Sequence, residues 1–274
     1  MGKSALLFAG LDENDVPQDV LVHFGHEAYE HYMVAPYVRE LMMVRNSDYI
    51  CWSPNIDYLY SAICALHTVQ FEELGSTLFS TIDKFEKLNH QRGTSPSISY
   101  VGIEVSQLLI DLAIGLHPAT NLAHFSRWQD APTQQNIVSR SYQSTSYAFR
   151  TTEQLAEWVA RARVGIHGIW FSLDEERQID MIGNKATLFD PIAFAELVNA
   201  AGLSTRVVRS EIYSHGDEKF STSWVLCERE SFGPPPQAVC DLTELSKQTF
   251  AGPHAALIPI RSSRPFDFTG LASR

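Results

Sequence analysis

Long hydrophobic runs are missing from this 274-residue chain. No stretch approaches the ~18 to 20 apolar residues needed to cross a bilayer, so no membrane span is expected. Positive charge is short as well: 21 Lys and Arg stand against 32 Asp and Glu, a formal charge of −11. A nucleic-acid groove needs a basic field, so nucleic acid is not expected as a partner. The 4 cysteines, Cys51, Cys64, Cys227 and Cys240, have no C-x-x-C spacing. That argues against a zinc site and against a dense disulfide framework. Residues 1–10 carry one lysine and a short apolar run, and Asp12, Glu13 and Asp15 follow at once, which does not suit a signal peptide. A soluble cytoplasmic protein is the expectation. What is present is an ordinary globular composition, 45% hydrophobic, able to bury a sizeable core in one or two domains.

Residues 15–66 read as mostly helical. Leu21, Phe24, Ala28 and Tyr32 recur at three- and four-residue steps, Tyr37, Leu41 and Met42 do so after Pro36, and residues 56–66 have the apolar density of a packed helix. No glycine-rich linker follows, so residues 1–66 are expected to form an N-terminal helical cap packed on what comes next. From His67 strands alternate with helices. The pattern predicts strands over 67–74, 97–105, 122–125, 136–141 and 164–173, and helices over 78–90, 107–116, 151–163 and 191–201. Thr151 or Thr152 is placed as an N-cap with Glu153 in the first turn, and Gly202 as a C-cap. Two further strands, 204–213 and 220–228, are separated by the turn His215-Gly216-Asp217. This alternation predicts an α/β domain over 67–230, with a mostly parallel sheet covered on both faces and an antiparallel last strand. Pro234-Pro235-Pro236 ends the regular region. Residues 231–274 show little periodicity and a basic finish (Arg261, Arg264, Arg274). They read as an arm lying across the domain or across a neighbouring subunit of a homodimer, or as a loose tail.

The stretch Phe71-Glu72-Glu73-Leu74-Gly75-Ser76-Thr77, followed later by Glu104, says most about function. Strand, tight turn, helix and strand together have the layout of a nucleotide-binding first half. Gly75 lets the backbone bend close to a ligand at the mouth of the first strand. Glu104, ending the second parallel strand, is placed to accept hydrogen bonds from a ribose diol. The arrangement asks for an adenosine-type cofactor. The full G-x-G-x-x-G is absent, since Thr77 and Phe79 stand where further glycines are expected.

With its closing residues added, the chain resembles the class I S-adenosylmethionine-dependent methyltransferases. Phe194, Leu197 and Gly202 lie on a last helix of that family's kind, followed by a pair of strands that includes Ser221-Thr222-Ser223-Trp224-Val225-Leu226-Cys227-Glu228. The segment Ile137-Val138-Ser139-Arg140-Ser141-Tyr142 resembles the strand whose C-terminal end borders the transferred methyl. The likeness covers roughly residues 68 to 230 and rests on element order and spacing. It implies a Rossmann-like fold and S-adenosylmethionine as cofactor. Glu73, Gly75, Ser76 and Thr77 would surround the amino-acid part, and Glu104 would bind the ribose hydroxyls. Val105 and Ser106 would flank the adenine, Asp130 would sit near its amino group, and Ser139 would border the cofactor from the central strand. The turn E-L-G-S-T-L-F keeps the acid and first glycine of the usual E/D-x-G-x-G-x-G and loses the other two. Side chains at Thr77 and Phe79 limit how closely a cofactor approaches.

Other constellations have both a chemical and a plain reading. In His23-Phe24-Gly25-His26-Glu27-Ala28-Tyr29-Glu30-His31 several pairs stand four apart on one helix, which is also the pattern of solvated ion pairs. A metal site of the H-E-x-x-H kind would need histidine where Glu30 stands, so no metal is expected. A cap helix could present His26 and His31 as bases and Tyr29 to a substrate. Tyr142-Gln143-Ser144-Thr145-Ser146-Tyr147 follows the central strand at the sheet edge where open α/β folds bind ligands. Tyr142 is a catalytic candidate, and Gln143 and Tyr147 are substrate-binding candidates; the plain alternative is a polar loop with Tyr147 and Phe149 packing inward. Asp57 and Tyr58 precede the first strand and are substrate candidates or core and rim. His167, within a buried strand, is a satisfied core histidine or a base, and Asp83 and Glu86 read as a solvated face. The activity implied is biosynthetic methyl transfer to a small polar molecule, whose acceptor would be aligned for in-line attack. Two other readings stand beside it: different chemistry at the sulfonium, such as intramolecular displacement, and a non-catalytic subunit supporting a partner.

Overall fold

A computed structural model describes residues 53–76, 80–105, 107–141, 144–181, 184–215 and 218–247. Helix α1 (Ser53–Leu66) leads into β1 (Thr68–Leu74), α2 (Ser80–Arg92), β2 (Ser97–Ile103), α3 (Gln107–Leu116) and β3 (Leu122–Phe125). A single 3-10 turn at Trp128–Asp130 precedes β4 (Ile137–Ser141), which is followed by α4 (Thr145–Ala148), α5 (Thr152–Val159) and β5 (Val164–Ser172). A hairpin of β6 (Arg177–Met181) and β7 (Asn184–Leu188), then α6 (Pro191–Ala200), precedes β8 (Ser204–His215) and β9 (Glu218–Glu228). The last element among the described residues is a 3-10 turn at Leu242–Lys247.

Seven strands form one sheet in the order β3-β2-β1-β4-β5-β9-β8. β1 to β5 are parallel, and β9 runs antiparallel to both its neighbours, β5 and β8. The chain builds outward from β1 to β3, then returns to place β4 beside β1 and builds the other way. The C-terminal ends of β1 and β4 therefore flank the point where the chain changes direction, and connections leaving it on opposite sides open a crevice there.

The strands read as apolar runs because both faces are covered: β5 is buried at all 9 positions. One face is packed by α1, α2 and α3, with Leu59, Ile63, Phe71, Phe85, Tyr100, Val138 and Ile166 in a single cluster. Phe71 meets Phe85 edge-on at 4.9 Å between centroids. The other face buries Leu74, Ile103, Ile169, Phe171 and Val225 against Leu155 and Trp158 of α5 and Phe194 and Val198 of α6. Asp190 caps α6, accepting from the amides of Ile192 at 2.8 Å and Ala193 at 3.1 Å, with Pro191 in the first turn. Thr151 caps α5 through the amide of Gln154. Among the described residues no helix is long and apolar enough to cross a membrane.

Residues 53–66, read as the end of a cap packed on what comes next, pack against β1, β4 and β5; residues 1–52 lie outside the described residues. The structure departs from the sequence pattern in two places. α5 stops at Val159 rather than 163, because the amide of Arg163 turns to the carbonyl of Ile137 at 2.8 Å and starts the pairing edge of β5. The β6–β7 hairpin has no counterpart in the sequence reading. Its apolar content is thin, and what holds it is distant: Ile179, Ala186 and Leu188 cluster with Trp170 and Phe220 of the main sheet.

Candidate functional site

At the end of β1 the backbone of Gly75 has φ +66, a left-handed conformation that residues with a Cβ rarely adopt. Its amide donates to the carbonyl of Ile103 at 2.8 Å, drawing the ends of β1 and β2 together. A Cβ at Gly75 would stand 2.6 Å from Cβ of Ser144, so glycine is required by the neighbour as well as by the dihedral. Ser144 follows β4 and reaches across the crevice to donate its hydroxyl to the carbonyl of Leu74 at 2.9 Å. Glu104, one residue past β2, is buried; its amide donates to Phe125 at 3.0 Å and its Oε1 accepts from the amide of Val105 at 2.9 Å. Val105 beside it is 82% exposed. A carboxylate held at the strand mouth with an exposed apolar neighbour fits a ribose diol with a base lying against Val105.

Glu73 is buried on the face turned to α2. Its Oε1 accepts from Thr81 at 2.9 Å and from Arg140 Nη1 at 3.2 Å, and Arg140 also donates to the Thr81 hydroxyl. Burial pushes the Glu73 carboxyl up, and the Arg140 guanidinium and the Thr81 hydroxyl oppose that. Its other oxygen, Oε2, is buried without a hydrogen-bond partner, as are the hydroxyls of Ser76 and Ser146. Glu73 ends β1 and Ser76 lies just beyond it, whereas Ser146 is on the helix that follows β4. Buried polar atoms are nearly always satisfied, so the orphaned Glu73 acceptor and Ser76 hydroxyl at the end of β1 fit a polar ligand there.

Asp130, in the 3-10 turn that follows β3, is exposed and bidentate with Arg127, Oδ2 to Nε at 2.8 Å and Oδ1 to Nη2 at 2.9 Å. That contact lowers the Asp130 pKa and raises that of Arg127. Tyr147 lies on α4 just past β4, 39% exposed, with its ring edge-on to Trp170 at 5.6 Å. The crevice thus brings together Glu73, Gly75, Ser76, Glu104 and Val105, with Tyr147 and Asp130 on elements that follow β4 and β3. His26, Tyr29, His31, Thr77, Ser106, Tyr142 and Gln143 lie outside the described residues.

Three sequence candidates lie elsewhere. Ser139 is not at the crevice: it is buried on the α5 face, with its hydroxyl 3.3 Å from Nε2 of His167. Ser141 meets Nδ1 of the same ring at 3.1 Å, and Trp158 packs edge-on at 4.9 Å. Both ring nitrogens are engaged and burial pushes the His167 pKa down to about 3, so this imidazole is a neutral core bridge between β4 and β5 rather than a base. Asp57 and Tyr58 are corrected as well. Tyr58 is buried and donates to Glu228, whose register partner is Val164 at the start of β5. Asp57 pairs with Arg92 at 3.1 Å. Tyr58 is thereby held at the N-terminal edge of the parallel strands, opposite the crevice, because α1 enters the domain from that side. Thr81 was not singled out, and Arg140 and Ser144 were read only as members of their segments, without a role of their own. The available signal was an arginine inside an otherwise apolar and small-residue strand, since a buried charge implies a partner.

Five parallel strands in the order 3-2-1-4-5, closed by an antiparallel strand inserted beside the fifth, separate this sheet from other doubly wound folds. The fold is that of the class I methyltransferases. No family model matches the sequence, and no curated protein matches it. Among solved structures, the chain is similar to CalS10 of Micromonospora echinaspora, an amino pentose methyltransferase in complex with SAM. The identity is 12% over 69% of this chain and 96% of that one, with a TM-score of 0.45. It is similar to 1,6-didemethyltoxoflavin-N1-methyltransferase of Burkholderia thailandensis at 10% identity, 74% and 89% coverage and a TM-score of 0.41. For Streptomyces venezuelae DesVI the values are 14%, 66%, 97% and 0.39. The fold assignment rests on strand order and direction, not on these distant likenesses.

Proposed function

We propose that this chain is an S-adenosylmethionine-dependent methyltransferase acting on a small polar molecule. The observation that carries the reading is the left-handed Gly75 and the buried carboxylate of Glu104 at the ends of the adjacent strands β1 and β2, β1 being the strand beside which the chain changes direction. The cofactor supplies a methyl group on a sulfonium. In this reading Glu104 accepts from the ribose hydroxyls, Val105 lies against the adenine and Asp130 reaches its amino group. Glu73, Gly75, Ser76 and Thr77 surround the amino-acid part. Tyr142, Gln143 and Tyr147 align the acceptor for attack, and alignment supplies much of the rate. His26 and His31 are the candidates to take a proton from an acceptor that is not already nucleophilic.

Calorimetric titration with S-adenosylmethionine and S-adenosylhomocysteine tests the reading. Wild-type protein should bind both, and Glu104→Ala should weaken binding by about 10- to 100-fold, the effect of losing hydrogen bonds to a charged group. Absence of wild-type binding at millimolar ligand would sink it. One observation favours a second reading, a methyltransferase fold that serves a partner chain without using the cofactor: Ser144 fills the space above Gly75 where a ligand would approach the backbone. The same titration separates the two.

A further inference from the structure

We propose that Arg161 is a positioning residue for the adenosine half of the cofactor, clamping the β3–β4 crossover that carries Asp130 onto the Glu72 side of β1. The proposal rests on the reading above.

The crossover 126–136 is short of internal structure. Its regular content is the 3-10 turn at Trp128–Asp130, closed by Asp130 N to Arg127 O at 3.1 Å and Ala131 N to Trp128 O at 3.2 Å. A backbone with so few partners of its own needs external ones to hold a single conformation. Asn136, at its end, is held by β1 through the amide of Gln70 and the carbonyl of Thr68; for residues 128–132 they come from two side chains that both address Glu72. Arg161, in the turn after α5, donates from Nη1 to the carbonyl of Trp128 at 2.7 Å, and from Nη2 to Glu72 Oε1 at 3.0 Å and Ala131 at 3.3 Å. Its guanidinium also lies over the Trp128 ring, 5.5 Å from the centroid. Gln70 donates to Glu72 Oε1 at 2.7 Å and to the carbonyl of Pro132 at 2.6 Å.

Glu72 is the anchor because it is buried in the sheet and cannot move without β1. The guanidinium is planar with donors fixed in a fork, so one side chain serves a carboxylate and three carbonyls, those of Trp128, Ala131 and Pro132; an ammonium on a flexible stem does not. Asp130 stands between two of the clamped carbonyls, those of Trp128 and Ala131. The crossover leaves from Phe125, whose carbonyl receives the amide of Glu104. The spacing between the ribose acceptor and the base contact is therefore set by where Arg161 holds the loop.

The test titrates S-adenosylhomocysteine and 5′-methylthioadenosine, which keeps the adenosine half and lacks the amino acid, into wild type, Arg161→Ala, Arg161→Lys, Asp130→Ala and the Arg161→Ala/Asp130→Ala double variant. Melting curves and amide exchange of residues 128–132 in the free protein accompany them. Arg161→Ala should weaken both ligands by the same factor, about tenfold, with Arg161→Lys recovering only part. The double variant should be no weaker than the worse single one, because residues acting through one element are non-additive. Exchange at 128–132 should rise in Arg161→Ala. Wild-type affinity in Arg161→Ala, additive losses, a loss confined to S-adenosylhomocysteine, or unchanged exchange would each overturn the clamp while leaving the functional reading intact. No binding to wild type overturns the functional reading, and the cofactor role of Arg161 with it.

Discussion

Glu72 and Glu73 are neighbours on one strand, both are buried, and each has an arginine, yet the two sides of β1 are built differently. Successive side chains on a strand point to opposite faces. Glu73 therefore looks toward α2, where Thr81 and Arg140 close around it, all three in regular elements and all buried. Glu72 looks toward α5, and its arginine comes from a turn and keeps 12% side-chain exposure. Arg161 gives its remaining donors to loop carbonyls, whereas Arg140 gives one to a helix hydroxyl. A charge pair sealed between a helix and strands holds the sheet together. One that also grips a loop passes the position of the sheet on to that loop. Burial raises both carboxyls and their arginines counter it, so the same electrostatics serves two mechanical ends.

The sharpest way to break the comparison is Arg140→Ala. It leaves Glu73 as an uncompensated buried charge and should cost about 3–5 kcal/mol of unfolding free energy in denaturant melts. The pH dependence identifies the cause. The Glu73 carboxyl is raised above 4.5 by burial, so the folded protein holds the proton more firmly than the unfolded chain. That contribution is fully present below 4.5 and is lost as pH rises through the raised folded value. Arg140→Ala should accordingly regain stability as pH is lowered toward 4.5; a destabilisation that does not change with pH would exonerate Glu73.

On the other side, Arg161→Ala should cost less, about 1–3 kcal/mol, because water reaches that site and can partly replace the guanidinium. Its larger mark should be on exchange in the crossover. If Arg161→Ala destabilises as much as Arg140→Ala, the distinction between seal and clamp is lost. At the end of the same strand, Gly75→Ala should cost about 1–2 kcal/mol from the left-handed backbone alone. Contact with Ser144 adds to it, and Ser144→Gly should return only the contact part. The smallest effect is expected at the opposite edge. Arg92→Ala breaks an exposed pair with Asp57 and should change stability by no more than about 0.5 kcal/mol, with ligand affinity unchanged. A lost affinity there would mean that the N-terminal edge of the sheet belongs to the site after all.

The fold was legible because its signals are local. Residues 164–172 are apolar enough to read as a buried strand, and Pro191 with Gly202 brackets the last helix. The two closing strands follow, with a glycine and an aspartate between them in the sequence. The β6–β7 hairpin was illegible because its anchors, Trp170 and Phe220, come from other strands. At the site, Gly75 and Glu104 could be read from a turn and a strand end. Ser139 was misplaced because the apolar surroundings of β4 do not reveal which way its small polar residues face. Asp57 and Tyr58 were misplaced because proximity in sequence to β1 says nothing about which end of the strand a preceding helix approaches.

By itself, then, the sequence determined the alternation of strands and helices, the bend after Glu73 and the carboxylate that ends β2, since periodicity and turn chemistry act over a few residues. Strand order, the burial of Glu72 and Glu73 against different arginines, and the gathering of orphaned polar atoms beside Gly75 were decided by tertiary structure alone. Each depends on residues about 60 to 90 positions apart meeting across a packed sheet, and the chain encodes such meetings only through the whole set of contacts that close the core.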